Sequence, residues 1–107
     1  MVYEYRRYEV MPGRLPDLLR RFQSFTLPIW ARFGIEHAGF WLADVGTSNQ
    51  LHYLLRWKDL ADREAKWAAF QADPEWLQRR AETEADGPLV ARVHNELWRP
   101  TAFSEVR

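Results

Sequence analysis

The sequence of 107 residues predicts an α+β fold with a ferredoxin-like order of elements, β-α-β-β-α-(α)-β, and a four-stranded antiparallel sheet. Two observations support this prediction. Between Gly39 and Trp76, a strand, a turn, a second strand and a helix follow one another with almost no connecting residues. A strand and a long helix precede this unit and a strand closes it, so we expect helices to cover one sheet face and leave the other open.

The first third of the chain predicts a strand and then a helix. Residues Val2 to Val10 are rich in Tyr and Val and are followed by Pro12-Gly13, which is typical of a strand. The apolar residues that come next recur at helical spacing: Leu15, Leu18, Phe22, Phe25, Ile29 and Phe33. Gly34 stands where a left-handed helix end is expected. Pro28 has no backbone N–H, so we expect the helix to kink or break between Thr26 and Pro28.

The following segment predicts a β-hairpin. Residues Ile35 to Val45 and Leu51 to Lys58 have strand composition, and the turn-forming residues 46–49 join them. Near the end of the chain, Gly87-Pro88 separates the last helix from Leu89 to Arg99, which alternates as a fourth strand does. The domain is therefore expected to span residues 1–99, with a C-terminal tail at 100–107.

Two helices are predicted between the hairpin and the last strand. Asp59 and Asp73 are each placed to cap a helix, and Pro74 occupies the first position of the second one. Four small residues share one face of the first helix, and we expect this face to lie close on the sheet: Ala61, Ala65, Ala68 and Ala72. The large rings of the two helices are interpreted as core or subunit-contact residues: Trp67, Phe70 and Trp76.

Composition excludes several classes of partner. Lys and Arg together number 15, as do Asp and Glu, and no basic run breaks this balance, so neither nucleic acid nor a membrane surface is a predicted partner. The chain has no Cys, which removes disulfides and thiolate chemistry and fits a reducing compartment. The N-terminus has no apolar signal segment and no run is long enough to span a membrane. We therefore expect a cytoplasmic protein.

Alternation along the strands predicts which side chains face away from the helices. The apolar set of each strand is expected under the helices, Tyr3 and Tyr5 among them. This leaves a polar set on the open face: Glu4, Arg6, Tyr8, His52, Arg56, Arg92, His94 and Glu96. The second strand is ambiguous, and we assign His37 and Trp41 to the open face, where the Trp41 ring beside Gly39 would form the floor of a pocket.

This polar set, together with Trp41, is the candidate ligand-binding site. His52 and His94 are the candidate catalytic residues, because either could act as a general base while Arg6 or Arg56 stabilises a developing oxyanion. The excess of positive charge in this polar set favours a ligand with a carboxylate or enolate oxygen. The alternative is a purely structural role, in which the charges pair across strands at a subunit interface.

The sequence predicts no cofactor. Three His and two Glu could share one cavity and suit Fe, Zn or Mn, but the chain has no H-x-x-H motif and no i,i+4 His pair. No residue is marked as an axial haem ligand, and the glycines are isolated, so no phosphate-binding loop is present. Ser nucleophile chemistry likewise has no supporting motif.

Three stretches of the sequence resemble the NIPSNAP family. They are YEYRRYEVMPGRL, GFWLADVGTSNQLHYLLRW, and the Leu60-x-x-Arg63 that precedes ADPEW, and together they cover roughly Val2 to Trp98. The resemblance implies a dimeric α/β barrel, in which two ferredoxin-like sheets face each other and enclose a cavity in each subunit. That superfamily includes cofactor-independent monooxygenases, haem-degrading enzymes and small isomerases, whereas the NIPSNAP group has no agreed reaction.

Two classes of function therefore remain open. The first is a homodimeric enzyme, an oxygenase or isomerase, that acts without metal or organic cofactor on a small, partly apolar molecule. The second is a non-catalytic binding or scaffolding protein with the same fold. In both classes the predicted partner is a second copy of the chain, and a small molecule is the predicted ligand.

Overall fold

Helices cover one face of a single antiparallel sheet in the computed structural model, which describes residues 1–107. The strands are β1 (Val2–Val10), β2 (Glu36–Trp41), β3 (Gln50–Trp57) and β4 (Val90–Trp98). The helices are α1 (Leu15–Arg21), α2 (Leu27–Phe33), α3 (Leu60–Gln71) and α4 (Pro74–Thr83). The strand order β2-β3-β1-β4 confirms the predicted ferredoxin-like arrangement. None of the helices is long and apolar enough to cross a membrane.

A π-helical segment, Phe22–Thr26, interrupts the first helical stretch between α1 and α2. The backbone N–H of Leu27 donates to the carbonyl of Phe22, five residues earlier. Pro28 follows at the second position of α2 and offers no N–H to the carbonyl of Ser24, so a wider turn ahead of it rearranges the backbone hydrogen bonds. The predicted interruption is present, but it begins one turn before the predicted residues 26–28.

Strand β2 is shorter than predicted, because it ends at Trp41 and residues 42–49 form a loop. Asp44 and Gly46 in this loop are poor strand formers. The loop returns at Asn49, which has a positive φ of 62° and accepts a backbone hydrogen bond from Val10. The tight turn predicted at 46–49 is therefore only the end of a longer connection.

Both predicted helix caps are present. The side chain of Asp59 accepts from the backbone N–H of Asp62 at 2.8 Å, and that of Asp73 accepts from Trp76 at 2.9 Å. The alanine face of α3 is nevertheless exposed, so the prediction that it packs on the sheet was wrong. The inner face of α3 carries large side chains instead, and two of them pack near the ring of Trp30: Trp67 and Phe70.

The core lies between the helices and the covered sheet face. Helical residues contribute Leu18, Phe22, Ile29, Trp30, Phe70 and Trp76, and the sheet contributes Leu51, Tyr53, Leu55 and Trp57, all of them buried. The ring centroids of Phe22, Trp30 and Tyr53 lie 5.6 to 5.8 Å apart, within the range of favourable aromatic pairs. The core interpretation of Phe70 and Trp76 is therefore confirmed.

Candidate functional site

Strand register divides the predicted site residues between the two faces of the sheet. Glu4 pairs with Leu55 and Arg6 pairs with Tyr53, and directly opposite residues of antiparallel strands point to the same face. Both partners lie in the core under the helices. Glu4, Arg6 and Tyr8 therefore lie on the covered face, and the prediction that they lie on the open face was wrong.

The other predicted residues share the open face. Tyr3 pairs with Arg56, Arg7 pairs with both His52 and His94, and Trp41 pairs with His52. The open-face set is Trp41, His52, Arg56, Arg92, His94 and Glu96.

His37 is an exception among the residues assigned to the open face. A bulge between His37 and Gly39 shifts the alternation of β2, so that His37 pairs with Leu55 on the covered face. Its ring packs at 4.9 Å from Phe40, centroid to centroid. The assignment of His37 to the open face was therefore wrong, whereas Trp41 lies where it was expected.

Tyr5 lies on the open face with its strand partner Glu96, so the expectation that it lies under the helices was wrong. Its ring stacks on Trp98 with centroids 5.0 Å apart and planes 11° apart, and its hydroxyl lies 2.8 Å from Nδ1 of His52. On the neighbouring strand, Glu96 accepts from Nε1 of Trp98 at 3.0 Å and lies 2.7 Å from Nε2 of His94. These two hydrogen bonds lower the pKa of Glu96. No cavity joins these residues to Arg6.

A network of hydrogen bonds surrounds Glu4 on the covered face. Oε1 accepts from Nε of Arg63 at 2.8 Å and from Nε1 of Trp57 at 3.1 Å. Oε2 accepts from Arg6 at 3.0 Å, from Asn95 at 2.9 Å and from Nη2 of Arg63 at 3.2 Å. Burial alone would raise the pKa of Glu4, but the hydrogen bonds from Arg63 and Asn95 and the positive charges of Arg6 and Arg63 lower it to about 2.

Arg6 connects this network to two tyrosines. Its Nε donates to the hydroxyl of Tyr53 at 2.7 Å, and Tyr53 donates to the hydroxyl of Tyr8 at 2.8 Å. The guanidinium also lies 4.7 Å from the centroid of the Trp67 ring, a cation–π distance. Burial raises the pKa of Tyr53, and the hydroxyls and Glu4 outweigh burial to raise the pKa of Arg6. Arg6 is thus a fixed cation beside a neutral Tyr53.

A cleft of about 360 Å³ opens beside this network, between the sheet and α4. Strand β1 supplies Arg6 and Tyr8, α1 supplies Arg21, and β4 borders the cleft with residues 90–93. On the helical side, the cleft is lined by Trp76, Arg80 and Glu84. Four arginines border the cleft against a single glutamate. The fourth, Arg92, pairs with Glu9 on the open face and borders the cleft at the free edge of β4.

Arg21 is the cationic side chain in this cleft that lacks hydrogen-bond partners. The residue is 6% exposed, and neither its Nε nor its Nη1 has a partner. The nearest carboxylate oxygen belongs to Glu84, 3.6 Å from Nη1. Burial lowers the pKa of Arg21, and the Glu84 charge only partly opposes this. Nε1 of Trp76, on the same cleft, is also buried without a partner.

Sequence reasoning missed Arg21, Trp76 as a cleft residue, and Arg80. One signal for Arg21 was available: it follows Leu18 by three positions and precedes Phe25 by four, so it falls on the apolar stripe of its helix. A charge on such a stripe is buried or lines a site. Trp76 and Arg80 reach the cleft only through the packing of α4, which no local pattern reports.

The arrangement is suited to holding an anion. No His lines the cleft, and the buried carboxylate beside it, Glu4, is already ionised and fully hydrogen-bonded. The cleft therefore has fixed cations and hydroxyl groups but no histidine base. No group of three or more His, Asp or Glu side chains is placed to hold a metal ion.

Residues 3–105 match the family model of NIPSNAP proteins. The chain belongs to the NIPSNAP family. Its fold is similar to that of an uncharacterised NIPSNAP domain protein from Burkholderia xenovorans, with a TM-score of 0.85 and 26% identity over 97% of this chain and 98% of the other. A NIPSNAP family protein of unknown function from Agrobacterium tumefaciens gives a TM-score of 0.88 at 26% identity, covering 100% of this chain and 94% of that one.

A more distant structural similarity concerns the fold and not the function. SnoaB, a cofactor-independent oxygenase from Streptomyces nogalater, has a TM-score of 0.60 at 17% identity, covering 96% of this NIPSNAP chain and 97% of SnoaB. At this identity the similarity shows a common fold alone. Among curated proteins, none matches the chain significantly. The resemblance to NIPSNAP proteins and the ferredoxin-like fold are thus confirmed.

Proposed function

We propose that this NIPSNAP protein is a homodimer that binds a small, partly apolar molecule carrying an anionic group, in the cleft between the sheet and α4. The observation that carries the proposal is the buried guanidinium of Arg21, whose Nε and Nη1 have no hydrogen-bond partner. Burying a charged group without hydrogen-bond partners costs free energy. In an anion-binding site the bound anion offsets this cost.

The composition of the cleft supports an anionic, partly apolar ligand. Four arginines and a single glutamate give it positive character, and Tyr8, Trp76, Val90 and Val93 supply apolar surface. Its volume of about 360 Å³ lies in the range of small-molecule sites. The sequence favoured the same ligand chemistry, but on the opposite face of the sheet.

Binding is favoured over catalysis by the position of the titratable groups. His52 and His94, the candidate catalytic bases, pair with Arg7 on the open face and are separated from the cleft by the sheet. Glu4 has a pKa of about 2 and is a weak base. The oxygenase alternative derives support only from the SnoaB-like fold, and oxygen uptake on incubation with quinols or phenolic ketones would favour it.

The proposed dimer uses the open face. This face carries the rings of Trp41 and Trp98, which are each about half exposed, next to Leu54 and Tyr5. Adjacent aromatic rings on an uncovered sheet face are typical of a subunit interface. A second copy of the chain is the occupant that fits, because the face carries both His94–Glu96 and arginine groups that can pair across a two-fold axis.

A variant that blocks the cleft tests whether the ligand binds there. Val93 lines the cleft from β4 and is exposed, so Val93→Trp fills the space at little cost to the fold. Val45→Trp adds the same ring to the 42–49 loop, outside the cleft, and is the matched control. We expect small anionic compounds from a mixed library to raise the Tm of the wild type and of Val45→Trp, but not that of Val93→Trp.

Two results would contradict this proposal. The first is a library in which no compound stabilises the wild type. The second is stabilisation that Val93→Trp leaves unchanged, which would place the ligand elsewhere on the protein. Turnover of a stabilising compound, followed by mass spectrometry, would replace the binding proposal with the enzyme alternative.

A further inference from the structure

The surroundings of Arg21 indicate which class of anion binds in the cleft. We infer that the natural ligand is a carboxylic acid with an aryl or acyl body, and that its carboxylate pairs with the guanidinium of Arg21 at the wall formed by α1 and α4. This inference rests on the proposed function, since it specifies the ligand of the same cleft.

Arg21 lacks the hydrogen-bond partners that a structural arginine has. Arg6 and Arg63 are also largely buried, and both donate to Glu4 at 2.8 to 3.2 Å. Arg21 has only the Glu84 oxygen at 3.6 Å, beyond good hydrogen-bond length, and the ring of Trp76 at 5.3 Å from its Cζ atom. The positive charge of Arg21 therefore lies on the cleft without a hydrogen-bonded carboxylate to neutralise it, although its Nε and Nη1 atoms are themselves sealed from solvent.

The shape and charge of the Arg21 side chain favour a carboxylate as the acceptor. A guanidinium presents Nε and a terminal nitrogen along one edge, which matches the two oxygens of a planar carboxylate. Glu84 stands 3.6 Å from Nη1 and is held by Arg80 at 3.3 Å, so it offsets part of the positive charge. A single negative charge suits this wall better than the double charge of a phosphate monoester, which Glu84 would repel.

A second N–H donor on this wall, that of Trp76, also lacks a hydrogen-bond partner. The indole Nε1 of Trp76 is buried without a partner, and Trp76 lies next to Arg21 on the same cleft. An indole N–H can only donate, so it too calls for an acceptor. Arg21 and Trp76 thus both have N–H groups without acceptors on the same wall, and the apolar surfaces of Val90 and Val93 remain for the body of the ligand.

Three matched probes test the inference: 2-naphthoate, its neutral amide 2-naphthamide, and 2-naphthyl phosphate. We expect calorimetry at neutral pH to show the wild type binding the carboxylate roughly tenfold or more tightly than either analogue. Arg21→Met should lose this preference while keeping its affinity for the amide. Arg21→Lys keeps the charge but not the guanidinium edge, and should recover only part of the preference.

Neighbouring Arg20 provides the control. It lies on the same helix, is exposed, and pairs with Asp17 at 2.9 Å, so Arg20→Met should bind all three probes as the wild type does. Unliganded Arg21→Met should also melt at the same or a higher temperature than the wild type, because it no longer buries a charge that lacks hydrogen-bond partners. An arginine kept for structure would show the opposite change in Tm.

The inference is overturned if Arg21→Met binds 2-naphthoate as tightly as the wild type, if the amide or the phosphate binds as well as the carboxylate, or if none of the probes binds at millimolar concentration. In each case the proposed function survives when the mixed library still contains compounds that stabilise the wild type and are blocked by Val93→Trp. Failure of that library experiment would instead remove the proposed function itself.

Discussion

Arg63 of α3 holds both carboxylate oxygens of Glu4 in β1, with Nε 2.8 Å from Oε1 and Nη2 3.2 Å from Oε2. The pair joins the third helix to the central part of the sheet across 59 residues of sequence. Because the Glu4 side chain is fully buried, its charge depends on this contact and on Arg6. Glu4 also holds Arg6, one of the cations that border the cleft.

Replacing Glu4 by Gln should strongly destabilise the protein. The change leaves Arg6 and Arg63 without their shared anion, and breaking a buried ion pair on one side costs about 3–5 kcal/mol. Urea denaturation at neutral pH would measure the loss. Glu64→Gln is the matched control, since Glu64 contacts the same Arg63 at 3.1 Å but is 77% exposed, and it should cost about 1 kcal/mol or less. Similar losses in the two variants would contradict the central role of Glu4.

Acid should remove the same contribution in the wild type. The folded pKa of Glu4 is about 2, below its usual value of 4.5, so its stabilising effect is complete above pH 4.5 and is lost as the pH falls towards 2. The gap in unfolding free energy between wild type and Glu4→Gln should therefore narrow by about 3 kcal/mol over this range. Exposed acids such as Asp17 are shared by both proteins and cancel in the difference. Parallel pH curves would be the contradictory result.

The fold could be predicted from the sequence because its signals are local. Strand alternation, helical spacing, and the caps Asp59 and Asp73 each lie within a few residues of what they determine. The site was harder because its contacts are long-range. The partners of Glu4 include Arg63 and Asn95, which are far away in sequence, and without them a Glu on a strand is most simply assigned to the solvent side.

Two further errors have the same kind of cause. The bulge beside Ala38 reverses the facing of His37 relative to Trp41, and its local signal was Gly39, a glycine inside the strand. On α3, four alanines suggested a packing face, but Trp67 and Phe70 bury far more apolar area on the opposite side and determine the orientation of the helix. In both cases tertiary packing outweighs a local pattern.

Gly39→Ala should destabilise the protein for two separable reasons. The φ of Gly39 is 153°, a conformation rarely adopted by residues with a Cβ, and an added Cβ would lie 2.6 Å from Cη2 of Trp41. We expect a loss of about 1–3 kcal/mol in urea denaturation. In a Trp41→Ala background the contribution from the ring should disappear and that from the backbone should remain.

Gly13→Ala is the matched control for this experiment. Gly13 also has a positive φ, 78°, but an added Cβ would meet nothing within 4 Å. Its cost should therefore not change when Trp41 is truncated. If Gly39→Ala were equally insensitive to Trp41→Ala, the close contact between the ring and the glycine would have no energetic weight.

The proposed dimer predicts that a charge at Trp98 will separate the subunits. Trp98 stacks on Tyr5 at the centre of the open face and donates to Glu96, so Trp98→Glu would bring two acids together and repeat them across the two-fold axis. We expect light scattering at micromolar concentration to give a dimer for the wild type and a monomer with an unchanged far-UV spectrum for Trp98→Glu. Leu77→Glu, on the half-exposed side of α4, should remain dimeric. A monomeric wild type, or a dimeric Trp98→Glu, would show that the subunits do not pair through this face.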